Sequence, residues 1–147
     1  MRFSRPLLAV AAVMLVAPLL FSAGKPAPAE AAASPCRGWV LYLNKRDGVV
    51  QSTYSIYCDR KVDRIVLQAF MREGDRWSAM NTVTCRNTNI CNNRESLRDR
   101  RGTQSYFVRA YEGDWPPATY VQDNGHTWRC NASGDAGFAC GGSGKKF

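Results

Sequence analysis

The sequence predicts an all-β fold, a single antiparallel β-sandwich held together by disulfides, and three observations carry that expectation. From Gly38 onward, apolar and polar side chains alternate with the two-residue period of a half-buried strand. Clusters of Gly, Asn, Asp and Pro divide the chain into about six or seven short strand-like segments, and no apolar stripe of helical period reaches useful length. Six cysteines, all beyond residue 35, supply the covalent staples.

The first 33 residues stand apart from this pattern. Arg2 and Arg5 lead into an almost unbroken aliphatic run from Leu7 to Phe21, and Ala29-Glu30-Ala31 and Ala31-Ala32-Ala33 offer small side chains to a signal peptidase. Residues 1–33 are therefore expected to be a secretory signal peptide, cleaved just before Ser34. The run is short for a membrane anchor and ends in Ser22-Ala23-Gly24-Lys25-Pro26. Cys36 follows Pro35, well past the run, which argues against a lipid anchor. The expected product is a secreted, extracellular monomer without a membrane span: one domain over residues 34–140 and a flexible tail over 141–147. Losing Arg2, Arg5, Lys25 and Glu30 takes the net charge from +8 to +6. The basicity thus belongs to the domain and favours acidic polymers or wall components as company, without naming one.

Trp39–Leu43 opens the domain as an apolar strand, followed by the turn-like Asn44-Lys45-Arg46-Asp47-Gly48. Val50, Ser52, Tyr54, Ile56 and Cys58 then alternate with Val49, Gln51, Thr53, Ser55 and Tyr57, and the β-branched and aromatic content favours a long strand. Asp59-Arg60-Lys61 is expected to end it. Ile65, Leu67, Ala69 and Met71 share one face of the next strand, with Arg64, Gln68 and Arg72 on the other, until Glu73-Gly74-Asp75 turns the chain towards Trp77. Ser78–Cys85 suits an edge strand. Asn87–Gly102 is polar with little to bury and reads as a loop, with one helical turn over Glu95–Arg101. Tyr106, Val108 and Ala110 alternate with Phe107, Arg109 and Tyr111 until Glu112 to Pro117 ends the strand. Thr119–Gln122 and His126–Cys130 form a hairpin around Asp123-Asn124-Gly125, and the Gly-rich stretch from Gly141 to Lys146 is flexible by composition.

An even number of cysteines in an exported domain reads as three disulfides. Cys85 and Cys91 enclose five residues suited to a closed loop and are expected to pair. Cys130 with Cys140 would make a second local loop and leave Cys36 for Cys58; a competing scheme joins Cys58 to Cys130 and Cys36 to Cys140. No two cysteines have C-x2-C spacing and His126 is the single histidine, so neither structural zinc nor any other cofactor is expected.

The stretch Gly102-Thr103-Gln104-Ser105-Tyr106-Phe107-Val108-Arg109-Ala110 resembles the penultimate strand of immunoglobulin-like and fibronectin-type domains, where a Tyr after a Gly anchors a corner. With Val50–Cys58 and Ile65–Trp77 it is similar to small uncharacterised secreted proteins of actinobacteria. The resemblance spans residues 36–111 and implies an immunoglobulin-like sandwich in an extracellular setting. No Trp lies within Ile65–Met71, so the cross-sheet disulfide of antibody-type domains is not implied.

Catalytic constellations are sparse. No G-x-S-x-G elbow accompanies His126, and the cysteines are committed to disulfides. A ribonuclease-like hydrolase would draw on Glu95, Arg109 and His126, and a protease inhibitor on the Cys85–Cys91 loop; both are alternatives. The leading expectation is a non-enzymatic extracellular binding domain, with no catalytic residue, whose partner is a cell-wall polymer or an extracellular protein rather than a specific nucleic acid. Aromatic side chains are numerous for the size of the domain, and Trp115, beside Pro116-Pro117, is the expected exposed one. Arg98, Arg100 and Arg101, with Arg94, form the expected basic contact group.

Overall fold

The computed structural model of the chain describes residues 33–112, 118–131 and 137–147, with backbone only at 77–79. Residues 1–32 of the leader and Trp115 lie outside the described residues. Those described contain eight strands and no helix: β1 (Cys36–Arg46), β2 (Val49–Glu73), β3 (Arg76–Arg98), β4 (Ser105–Ala110), β5 (Tyr120–Asp123), β6 (His126–Asn131), β7 (Gly137–Ala139) and β8 (Ser143–Lys146). The all-β expectation holds.

One hydrogen-bonded sheet runs β7-β6-β5-β2-β4-β8, with β1 and β3 also paired to β2. It is mixed, because β6 and β7 are parallel while the other pairings are antiparallel. This differs from the antiparallel, two-sheet arrangement expected from sequence. The reason lies in β2 and β3. Each spans what would be two ordinary strands, and a straight 25-residue strand would measure about 80 Å, beyond the width of a domain this size. Both must bend. Tyr57 pairs with Ile90 and Val62 with Thr88, so four residues of β2 face a single residue of β3. Asp59-Arg60-Lys61, expected to end a strand, instead makes a corner within one.

The same corner corrects the expected loop and helical turn at 87–102: β3 continues to Arg98. Asn87 takes a left-handed φ of 49° at its bend, a conformation Asn tolerates better than most residues. Cys85–Cys91 spans that bend and Cys36–Cys58 ties the start of β1 to the corner of β2, while Cys130–Cys140 joins β6 to the residue after β7. The local-loop pairing is the one formed, and it suits an oxidising, extracellular-type environment. Among the described residues no helix is long and apolar enough to cross a membrane.

Bending brings both halves of β2 around one core. Val50, Tyr54, Ile56 and Cys58 from the first half share it with Ile65, Leu67, Ala69 and Met71 from the second, and Tyr106, Val108, Val121, Trp128 and Phe138 complete it. The sheet therefore has one inward face and two outward faces, one on each side of the corner. Two-residue turns close the hairpins: Asp47-Gly48 and Asn124-Gly125 both have positive φ at each position, the twist that matches flanking strands.

Residues 143–146, expected within a flexible tail, form β8 against β4. Gly142 and Gly144 allow it. A Cβ at Gly142 would come within 2.5 Å of the Phe107 ring, so glycine serves close approach here rather than freedom. The ordered unit accordingly extends past the expected boundary at residue 140.

Candidate surface site

Alternation along β1, the first half of β2 and the second half of β3 sorts their side chains by face. Inward go Val50, Tyr54 and Ile56, with Cys91 and Asn93 opposite. Outward, the register sets five rows across three strands: Arg37, Tyr57, Ile90; Trp39, Ser55, Asn92; Tyr42, Thr53, Arg94; Asn44, Gln51, Ser96; and Arg46, Val49, Arg98. Rows lie about 7 Å apart along the strands. No carboxylate occupies any of these positions.

Three aromatic rings stand on this face. Trp39 and Tyr42 are each 37% exposed although they sit in mid-strand. Trp39 and Tyr57 tilt against each other with centroids 6.4 Å apart, and the Arg37 guanidinium lies 6.0 Å from the Tyr57 ring. The register slips between Val40 and Tyr42, a bulge that leaves Leu41 unpaired and aims Tyr42 outward beside Thr53. Next to it, a cavity of about 250 Å³ is lined by Tyr42, Gln51, Ser52, Arg94, Glu95 and Ser96. Amide, hydroxyl and guanidinium groups and the Glu95 carboxyl thus adjoin the rings on this face. Such a surface stacks on flat apolar faces while donating and accepting hydrogen bonds at their rims.

Beneath it lies a polar seam. Asn93 is fully buried and donates to the carbonyls of Leu67 (3.2 Å) and Asn81 (2.8 Å), tying the two halves of β3 to the middle of β2. Glu95, opposite Ser52, is 6% exposed, and one carboxylate oxygen and the Ser52 hydroxyl lack hydrogen-bond partners. Burial pushes the Glu95 carboxyl up to about 7, against the smaller opposing pull of the Asn81 backbone amide.

The residues of the hydrolase alternative take separate places. Glu95 is opposite Ser52 on β3; Arg109 is ion-paired with Glu112 at 2.7 Å and lies 5.9 Å from the Phe70 ring; exposed His126 stacks on Trp128 at the β5–β6 turn. They share no partner. The basic group divides similarly. Arg94 and Arg98 point out along β3, Arg100 lies 3.5 Å from Glu73, and exposed Arg101 offers its carbonyl to Gln104. Glu112 approaches Cys130 and Cys140, but those sulfurs are bonded to each other and present no thiolate. The shared face of Trp39, Tyr42 and Tyr57 follows from the β1–β2 register, which the local sequence does not set.

No protein-family model matches the chain, and no curated protein matches it. Among solved structures, a selenomethionine-labelled β-glucosidase from Kluyveromyces marxianus aligns over 65% of this chain and 15% of its own, at 6% identity and a TM-score of 0.38. At that score the likeness carries no argument.

Proposed function

We propose that the protein is a secreted, non-enzymatic binding domain that docks on polysaccharide chains, including those of a cell wall, through the outward face of β1, β2 and β3. The observation that carries this reading is the alignment of Trp39, Tyr42 and Tyr57 on one sheet face. Sugar rings present C–H faces that stack on aromatic rings, and their hydroxyls suit Asn92, Arg94, Gln51 and Ser96. The three disulfides support an extracellular setting. An immunoglobulin-like packing of the two halves of the bent sheet, and the kinship with small secreted actinobacterial proteins, belong to the same proposal.

Affinity electrophoresis against a panel of soluble neutral polysaccharides tests it. Wild-type protein should be retarded by at least one of them, and Trp39→Ala and Tyr42→Ala should each weaken that binding about tenfold. Met80→Ala, exposed on the other outward face, should leave it unchanged. A docking surface for an extracellular protein would instead leave every gel mobility unaltered.

A further inference from the structure

The second outward face, beyond the corner, carries a different chemistry. Alternation on the second half of β2 sends Arg64, Val66, Gln68 and Phe70 to the side opposite the core, where Val66, Gln68 and Phe70 are themselves covered and Arg64 is partly exposed. The register then sets Arg86, Arg64, Gln122 and Thr127 in one row across β3, β2, β5 and β6, and Thr84, Val66, Tyr120 and Arg129 in the next. Arg64 and Arg86 are directly opposite each other. Like charges in that position destabilise a sheet unless something neutralises them. Among the described residues Arg64, Arg86 and Arg129 have no ion-pair partner, as is also true of Arg37, Arg76, Arg94, Arg98 and Arg101, but only Arg64 and Arg86 are set directly opposite each other by the register. The Arg64 guanidinium lies 5.8 Å from the Tyr120 ring, and its Nε is buried without a hydrogen-bond partner. Beside that ring a cavity of about 460 Å³ is lined by Tyr120, Gln122, Thr127 and Arg129.

We infer that this face is an oxyanion site that takes a sulfate or phosphate ester carried on an acidic glycan. The anion would supply the missing counter-charge to Arg64, Arg86 and Arg129, since guanidinium forks match such oxygens in pairs. Gln122 and Thr127, 3.3 Å apart, offer amide and hydroxyl groups to the adjoining sugar. A glycan fits better than a nucleic acid because Tyr120, which Arg64 already covers on one side, is the single aromatic ring lining the cavity, whereas single strands are held by successive stacked bases. The site is independent of the Trp39 platform.

The full chain, titrated at two salt concentrations with a sulfated polysaccharide, a phosphorylated polysaccharide, an uncharged glucan and single-stranded DNA, provides the test. Binding of one or both esterified glycans, with the two titrations showing which ester is taken, and weaker binding of DNA support the site. Arg64→Gln, Arg86→Gln and Arg129→Gln should each weaken glycan binding about tenfold and lower the salt dependence by about one counterion. Arg86→Gln should also raise Tm by about 1–3 °C in the absence of ligand, because it removes the like-charge pair. Trp39→Ala should leave the salt-dependent part of esterified-glycan binding unchanged, which separates failure of this site from failure of the platform. An equal loss in Arg76→Gln, an exposed residue next to the β2–β3 turn, would reduce the effect to net charge and overturn the proposal. So would DNA binding at equal affinity, or a fall in Tm for Arg86→Gln.

Discussion

Two buried polar side chains on β3 set testable energetics at the residue scale. Asn93 satisfies two backbone carbonyls in the interior, so Asn93→Ala should cost about 2–3 kcal/mol in chemical unfolding. Glu95 is the opposite case, a buried carboxyl whose folded pKa is raised to about 7. The folded state holds its proton more tightly than the unfolded chain does. The favourable contribution is therefore complete below the unfolded pKa, fades as pH rises towards about 7 and is gone above it. Glu95→Gln should flatten stability across that window and leave the protein more stable than wild type at pH 8, by about 1–2 kcal/mol after allowance for solvent screening. Equal pH profiles for the two proteins would contradict this placement of the carboxyl. Neither residue was legible as interior, because both sit in an Arg- and Asn-rich run whose local composition resembles a loop.

The covalent and glycine devices act at the element scale. Cys85–Cys91 closes the bend of β3, and replacing both cysteines by Ala should lower stability by about 2 kcal/mol on the chain-entropy estimate. Gly142→Val should displace β8 by driving a side chain into Phe107. Loss of amide protection at 143–146, with protection in β2 retained, is the expected hydrogen-exchange result. Strands with strict alternation were readable at this scale: Val49–Cys58, Ile65–Met71 and Tyr106–Ala110 all lie within observed strands, and Asn124-Gly125 is the turn that joins β5 to β6. Continuity was not. Asp59-Arg60-Lys61 carries the polarity of a break, yet its backbone is held at the corner, where the Asp59 amide donates to Pro35. Composition made the glycines near the C-terminus look like a linker because it does not register that Phe107 needs bare backbone against it. The disulfide partners were readable as local loops, whereas choosing between that scheme and the crossed one required the fold.

Across the whole molecule, one bent sheet wraps one core and carries two faces opposite it, the first with Trp39, Tyr42 and Tyr57 aligned, the second with Arg64 set directly opposite Arg86. The expectation of a basic, aromatic binding domain corresponds to both faces, but the residues singled out from sequence were mostly others, since a face exists only once strand register is known. Chemical-shift mapping of the isotopically labelled protein with a neutral oligosaccharide tests the binding face most directly. The account predicts perturbations concentrated at Trp39, Tyr42, Tyr57, Asn92 and Arg94, with the Arg64–Arg129 face unmoved. Perturbations centred on β5 and β6, or none with any neutral oligosaccharide in the panel, would contradict it.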